Sequence, residues 1–141
     1  MKVLPFKIPK PENATLVIQE DKGLMFYDKL HQHQETQISL IKKGEGTFII
    51  GDHVGEFHQG DLFVIGENLP HVFNNDKTEE SVHMISIFFM KSSYGDHFFE
   101  FPEFKKLSPF FAASNLGFKI DAEQNGLTRL IEGLVYQNKL D

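Results

Sequence analysis

The sequence predicts a mostly β domain, a sandwich or barrel that is followed by a helical extension. Between residues 14 and 90, short β-rich runs alternate with Gly and Asx turn signals at a spacing typical of sandwiches and barrels. After residue 90 this pattern stops, and prolines, paired phenylalanines and a helix-spaced apolar stripe follow. The 141 residues fit one domain, long enough to bury roughly two-thirds of its unfolded surface.

Composition and charge exclude several classes of protein. The chain carries 14 basic and 20 acidic side chains, for a net charge of −6, and its only arginine is Arg129. Nucleic-acid surfaces need clustered Lys and Arg, so these residues do not form one. No apolar run approaches the roughly 20 residues of a membrane span. The absence of Cys excludes disulfides and thiolate metal sites and fits a reducing cytoplasm, where we expect the protein.

Residues 1–13 are predicted to form an extended arm. Pro5, Pro9 and Pro11 remove backbone donors and restrict φ, which excludes a helix and favours an edge or polyproline conformation. Phe6 and Ile8 give the arm apolar side chains to bury.

The barrel is predicted at residues 14–90. A turn signal at 21–23 separates its first two runs, and Gly44 and Gly51 bound later ones. The run 62–65 is apolar throughout, as in a strand that is buried on both faces. The predicted strands are 15–19, 24–27, 36–43, 47–50, 62–65 and 82–90.

The extension at residues 91–141 is predicted to be helical. Pro102 breaks the aromatic stretch 92–107 into short helices, and Ser108 is expected to cap a helix that starts at Pro109. Residues 115–117, Asn-Leu-Gly, are expected to end that helix.

A last helix is predicted with Asp121 as its N-cap and Gln124 at the third helical position. Five apolar residues then follow at i, i+3, i+4, i+7 and i+8, which places them on one helix face. This stripe either packs on the barrel or forms a dimer seam, and the helix pattern leaves both open. The five residues are Leu127, Leu130, Ile131, Leu134 and Val135.

Two histidines at strand spacing mark the candidate site. In a strand, residues i and i+2 share a face, so His31 and His33 point to the same side. The alternation continues along the next strand, where positions 38 and 40 point to the opposite side. The residues that continue the histidine face are Gln37, Ser39 and Ile41.

A third histidine follows in the segment 60–76. Pro70 restricts the residue before it to extended geometry, and a turn stiffened in this way can aim His71 at a fixed point. Across paired strands His71 would face His31 and His33. Three imidazoles and one side-chain oxygen, that of Gln37, suit Zn, Fe, Ni, Cu or Mn, depending on geometry.

The two segments resemble the two motifs of the cupin superfamily. The first family motif has a HxH pair, then a Glu and a Gly; the second has Gly, Pro-x-Gly, His and Asn. This sequence keeps the spacing of both, with Gln37 in place of Glu, Gly66 in place of Pro and Asn68 in place of Gly. A cupin-type jelly-roll β-barrel is therefore implied. The motif positions are His31, His33, Gln37, Gly44, Gly60, Gly66, Asn68, His71 and Asn75.

Nearly the whole chain is similar to the N-terminal regulatory domain of AraC-type transcriptional regulators. In that family the arm and the cupin barrel bind a small effector, a helical pair dimerises, and a separate C-terminal domain with two helix-turn-helix units binds DNA. The resemblance implies a homodimeric sensor domain for a small polar effector, such as a sugar, that meets DNA only through a domain absent from these residues. The implied effector-binding residues are Phe6, His31, His33, Gln37, Ser39, His71 and Phe73, and the stripe 127–135 is the implied dimer surface.

Metal binding and catalysis are the alternatives to this interpretation. Gln37 supplies a neutral amide where a metal-binding cupin has an anionic ligand, although three histidines alone can hold Zn. We therefore expect no required cofactor, and a divalent metal (Zn, Ni, Fe or Mn), if bound, on His31, His33, His71 and Gln37. The serines have no evident triad partners, so we expect no enzymatic activity. The rival hypothesis is a metal-dependent cupin oxygenase or isomerase.

Overall fold

The computed structural model describes residues 2–9, 15–75, 80–95, 97–121 and 127–140, without the side chains of 137–140. Within them, two five-stranded sheets are followed by short helices, which confirms the predicted class, mostly β with a C-terminal helical part. The strands are β1 Leu4–Pro5, β2 Leu16–Gly23, β3 His31–Gln32, β4 Thr36–Lys43, β5 Gly46–Ile50, β6 His53–Phe57, β7 Leu62–Ile65, β8 His71–Asn75, β9 Val82–Phe89 and β10 Phe118–Ile120. The helices are α1 Ser108–Ser114 and α2 Thr128–Leu140, with 3₁₀ helices at Lys91–Tyr94, Phe98–Glu100 and Pro102–Leu107.

The strand orders bring distant parts of the chain together. The first sheet has the order β1-β3-β8-β5-β6, and the second has the order β10-β7-β4-β9-β2. In the first sheet β3 pairs antiparallel with β8, and His31 lies directly opposite His71. In the second sheet β4 lies between β7 and β9, so its side chains occupy the middle of the sheet.

The barrel interior is built mainly of phenylalanine. Phe63 is fully buried at the centre, with its ring centroid 4.9 Å from that of Phe48 and 5.0 Å from that of Phe73. Both contacts are edge-on, the arrangement that aromatic rings prefer. This cluster fills the space between the sheets on one side of the histidines. Its buried members are Phe26, Ile41, Phe48, Ile50, Phe57, Phe63, Ile65, Phe73, Val82 and Met84.

The outer face of the second sheet is covered by α2. Ile131 and Val135 are buried there against side chains such as Leu40 and Ile85. The alternation predicted for β4 is confirmed, since Leu40 belongs to this outer cluster and Ile41 to the interior one. The apolar run Leu62–Ile65 likewise divides its side chains between the two clusters and is buried on both faces, as predicted.

The structure differs from the prediction at several elements. The turn at 21–23 is not formed, because every residue of β2 pairs with β9, and residues 24–27 are a loop instead of a strand. Ser108 is the first residue of α1 and not its cap, since the cap residue is Leu107. Strands β6, β8 and β10 were not predicted. Gly117, with φ of +77°, ends the helical segment and leads into β10.

Some predictions concern residues that the structure leaves undescribed. The distal arm at 10–13 and Gln124 of the predicted capping box are among them. No helix in the described ranges is long and apolar enough to cross a membrane.

Candidate functional site

Three histidines meet inside the barrel, as the strand spacing predicted. His31 and His71 are adjacent across the β3–β8 pair, with ring centroids 4.3 Å apart. His33 lies just beyond β3, with its ring centroid 4.9 Å from that of His71 and 6.2 Å from that of His31. One potential ligand atom of each ring lies within 4.8 Å of the others. The cluster combines two strands that are 40 residues apart in sequence.

Backbone carbonyls orient all three rings in the same way. The Nδ1 of each imidazole lies at hydrogen-bond distance from a carbonyl oxygen two residues away. A carbonyl only accepts, so each Nδ1 carries the proton, and in the neutral rings of His31 and His71 the lone pair is then on Nε2. His33 differs, because its Nε2 faces the amide oxygen of Gln37, which also only accepts. The acceptors are the carbonyls of Lys29 for His31 at 2.7 Å, Glu35 for His33 at 3.0 Å and Leu69 for His71 at 2.8 Å.

Burial keeps two of the rings uncharged. It lowers the pKa of His71 to about 3, and the neighbouring His31 lowers it further as a like charge. Burial is also the main cause that lowers the pKa of His31. Among the described side chains, His71 Nε2 is buried and has no hydrogen-bond partner. An unsatisfied buried nitrogen costs about 1–3 kcal/mol, which a ligand could recover.

Gln37 leads from the cluster into a buried polar chain. Its Oε1 lies 2.9 Å from His33 Nε2, and its Nε2 donates to Ser39 Oγ at 2.7 Å. Ser39 Oγ lies 2.6 Å from Ser86 Oγ on the neighbouring strand β9. All four side chains are buried, so this chain holds His33 in place from inside the sheet.

A cavity of about 170 Å³ opens in front of the histidines. The N-terminal arm forms part of its wall. The ring of Phe6 lies 5.2 Å from that of Tyr27 and 5.3 Å from that of His31. Strand β1 of the arm pairs in parallel with β3, and Ile8 is buried beyond it. The arm therefore touches the same strand that carries His31.

The loop 24–28 forms another part of the wall, and Asn75 holds it. The side chain of Asn75 accepts a hydrogen bond from the backbone N–H of Phe26 at 2.9 Å and donates to the carbonyl of Leu24 at 3.1 Å. This loop brings Met25, Phe26 and Tyr27 to the cavity. The sequence placed Asn75 in a motif but indicated no role for it.

Most residues expected to bind a ligand line this cavity. Phe6, His31, His33, Gln37, His71 and Phe73 all do so. Ser39 is fully buried behind Gln37. Only the structure shows the remaining wall, because β2, β9 and the loop 24–28 are brought there by strand pairing. These added residues are Ile8, Gln19, Asp21, Lys22, Met25, Phe26, Tyr27, Met84 and Phe88.

The histidine cluster fits a metal ion in part. The Nδ1–carbonyl bonds are the kind that fix metal-binding imidazoles, and the Nε2 of His71 is unpartnered among the described residues. Two nitrogens on one tetrahedral zinc lie about 3.4 Å apart, so ligand nitrogens that are up to 4.8 Å apart must first move together. His33 must also release Gln37. The three histidines could hold a metal after these changes.

Comparison with known proteins identifies the barrel. Residues 24–88 match the family model described as Cupin domain. The match and the two sheets together show a cupin-type barrel. The match contains both histidine segments and the strands that position them. No curated protein matches the sequence.

Solved structures are similar to this chain at low identity. ToxT from Vibrio cholerae O395, bound to (E)-4-(8-methylnaphthalen-1-yl)but-3-enoic acid, matches 86% of this chain and 49% of its own, with TM-score 0.57 and 10% identity. A cupin 2 conserved barrel domain protein from Salinispora arenicola CNS-205 matches 61% and 73%, with TM-score 0.48 and 19% identity. Oxalate decarboxylase from Bacillus subtilis, which has Mn(II) centres, matches 76% and 34%, with TM-score 0.43 and 19% identity. The chain thus spans about half of ToxT and a third of the decarboxylase.

The prediction that the chain is not an enzyme is wrong, because its grounds do not exclude enzymatic activity. It rested on the missing carboxylate at Gln37 and on serines without triad partners. Three histidines lie close enough to hold a metal without that carboxylate, so neither observation excludes metal-dependent chemistry. Enzymatic activity is therefore open for this cupin domain.

Proposed function

We propose that this chain is the effector-sensing domain of an AraC-type transcriptional regulator and binds a small molecule in the histidine-lined cavity. The main observation in support of this proposal is the contact between the arm and the cavity. Phe6 packs on the ring of His31, and β1 is paired with the strand from which His31 projects. A ligand that touches His31 is therefore one side chain away from the arm.

The similarity to ToxT supports this proposal. ToxT is an AraC-family regulator, its structure contains a bound small molecule, and the shared fold extends past the cupin domain to 86% of this chain. In the proposed full protein, a DNA-binding domain follows this one. Such a protein would act in the cytoplasm as a homodimer.

Binding would change the arm through differential contact. A ligand beneath Phe6 adds apolar contact to the arm only when the arm lies over the cavity, so it favours that state. The same ligand contacts strands β4 and β9 from inside, while α2 packs on their outer face. Arm position and the surface around α2 are thus the two outputs available to a DNA-binding domain.

Hydrogen–deuterium exchange tests the proposal. The protein is screened by thermal shift against small metabolites, and any ligand that raises the Tm is then followed at the amides of residues 2–9. We expect slower exchange there for the wild type and a smaller effect for Phe6→Ala. A ligand that binds in the cavity without changing exchange in the arm would refute the switch.

A metal-dependent cupin enzyme is the second candidate, favoured by the convergence of three imidazoles. His31, His33 and His71 would hold the ion, which would supply Lewis-acid chemistry when bound. The backbone carbonyls would keep each ring oriented, and Phe6 would exclude water. Metal analysis of protein purified without a nickel column distinguishes the candidates. Stoichiometric Fe or Mn that is lost in His71→Ala would favour the enzyme.

A further inference from the structure

The hydrogen-bonding character of the cavity floor restricts what can bind there, if the cavity is the effector site proposed above. We infer that the site selects a small uncharged ring compound bearing O–H or N–H donors and rejects carboxylates and phosphates. The basis is that two imidazoles, His31 and His71, present only acceptor nitrogens, whereas the only Lys or Arg among the described lining residues, Lys22, is largely exposed beside Glu20.

The tautomers come from geometry. His31 Nδ1 donates to Lys29 O at 2.7 Å, and His71 Nδ1 donates to Leu69 O at 2.8 Å. Each ring has one proton in its neutral form, so its Nε2 can only accept. Among the described residues, His71 Nε2 has no partner, although it is buried. A donor on the ligand would satisfy this nitrogen, whereas an anionic oxygen would place lone pair against lone pair.

His33 does not add a third free acceptor. Its Nε2 is 2.9 Å from the side-chain amide of Gln37. The facing atom is Oε1, which only accepts, so a hydrogen bond there has His33 Nε2 as its donor, and Ser39 and Ser86 hold Gln37 from behind. The floor therefore presents one adjacent pair of acceptors, on rings whose centroids are 4.3 Å apart.

The charged residues of the cavity do not favour an anion. Among the described lining residues, the only Lys or Arg is Lys22, and Asp21 is beside it in sequence. Lys22 Nζ lies 3.8 Å from Glu20 Oε2, and its side chain is 59% exposed. An anion on the histidines would thus lose its hydration without an internal counter-charge, which is strongly unfavourable.

Size and wall chemistry indicate a single ring. The cavity measures about 170 Å³, and an apolar protein cavity of about 150 Å³ is known to take up benzene. Aromatic rings form much of the wall, and such rings pack favourably against another aromatic ring. The aromatic lining residues other than histidine are Phe6, Phe26, Tyr27, Phe73 and Phe88.

Three ring compounds of similar size test the inference in the presence of EDTA. Catechol carries two adjacent O–H donors, benzoate is an anion, and toluene has neither a donor group nor a charge. Calorimetry should give catechol a Kd at least about tenfold lower than that of benzoate or toluene. In ¹⁵N-histidine NMR spectra, catechol should shift the Nε2 resonances of His31 and His71 more than that of His33.

Variants keep the test independent of folding defects. His31→Phe and His71→Phe should each weaken catechol binding about tenfold or more, and His31 is only half-buried, so its variant is the safer of the two. His53→Gln, at an exposed position, should bind like the wild type.

The opposing outcomes are distinct. Equal or tighter binding of benzoate would overturn the inference and leave the cavity as the effector site. Catechol binding that requires added zinc, that survives both histidine variants, or that is absent at millimolar concentration would also overturn it. The sensing proposal itself fails only if ligands of the cavity leave the arm unchanged.

Discussion

Single residues explain where this chain departs from the cupin motifs. Asn68 stands at a glycine position with φ of +56°, a left-handed conformation that Asn tolerates better than most residues. Gly66 stands at a proline position, and a Cβ there would lie 2.3 Å from the carbonyl oxygen of Ser114. The departures thus follow from local backbone conformation and from the packing of α1 against the barrel.

The buried imidazole of His71 predicts that stability depends on pH. Its folded pKa is about 3, below the unfolded value of about 6.5. Below pH 6.5 the unfolded state binds more protons, so this contribution to stability is complete above pH 6.5 and is lost as the pH falls towards 3. The slope from His71 alone is at most about 1.4 kcal/mol per pH unit.

Urea denaturation in EDTA between pH 7.5 and pH 4 measures this effect. His71→Gln should flatten the dependence, because the titrating ring is gone. His53→Gln, which changes an exposed histidine, should leave the slope unaltered. An unchanged slope in His71→Gln would show that other groups cause the acid sensitivity.

Asn75 is predicted to stabilise the cavity wall. Asn75→Ala removes hydrogen bonds to the backbone of Phe26 and Leu24, and it should lower the free energy of unfolding by about 1–3 kcal/mol. Exchange should rise at the amides of residues 24–27. Asn74→Ala, on the exposed side of the same strand, should stay within about 0.5 kcal/mol. An equal loss of unfolding free energy in both variants would contradict this role of Asn75.

At the scale of elements, α2 divides the apolar stripe between two environments. Ile131 and Val135 are buried on the barrel, whereas Leu127, Leu130 and Leu134 are 44%, 66% and 38% exposed. Lys42 Nζ also lies 2.5 Å from Glu132 Oε1, which links the helix to β4. The helix pattern left packing and dimerisation as alternatives, and the structure assigns packing to one half of the stripe.

Two matched variants test this division of α2. Ile131→Ala should lower the free energy of unfolding by about 2–4 kcal/mol, because it opens a cavity against the second sheet. Leu130→Ala should change it by less than about 0.5 kcal/mol. Urea denaturation measures both. The reverse order would mean that a different face of the helix meets the barrel.

At the scale of the whole molecule, the exposed half of the stripe is the proposed dimer surface. Leu130→Arg should shift the protein towards monomer in sedimentation experiments at a fixed concentration, because it places a charge in the apolar contact. Its Tm as a monomer should stay near that of the wild type. Val54→Arg, at a 75% exposed position on β6, should leave association unchanged. Association that is insensitive to Leu130→Arg would place the dimer contact elsewhere.

The sequence by itself determined the features that depend only on residues close together in the chain. Strand alternation assigned the faces of β4, and the i, i+2 spacing placed His31 and His33 on one side. The apolar run Leu62–Ile65 indicated burial on both faces, which the two cores confirm. These features depend only on the local period of the chain, so a short window is enough to predict them.

Tertiary structure alone decided the features that depend on distant contacts. All eight residues of β2 pair with β9, so the strand continues across residues 21–23, where the sequence predicted a turn. The register of β3 and β8 places His31 opposite His71. The same applies to the hydrogen bond between Gln37 and His33, the clamp by Asn75 and the choice of which α2 residues are buried. Each of these depends on which segment becomes the neighbour, because pairing and packing energies act between residues far apart in sequence.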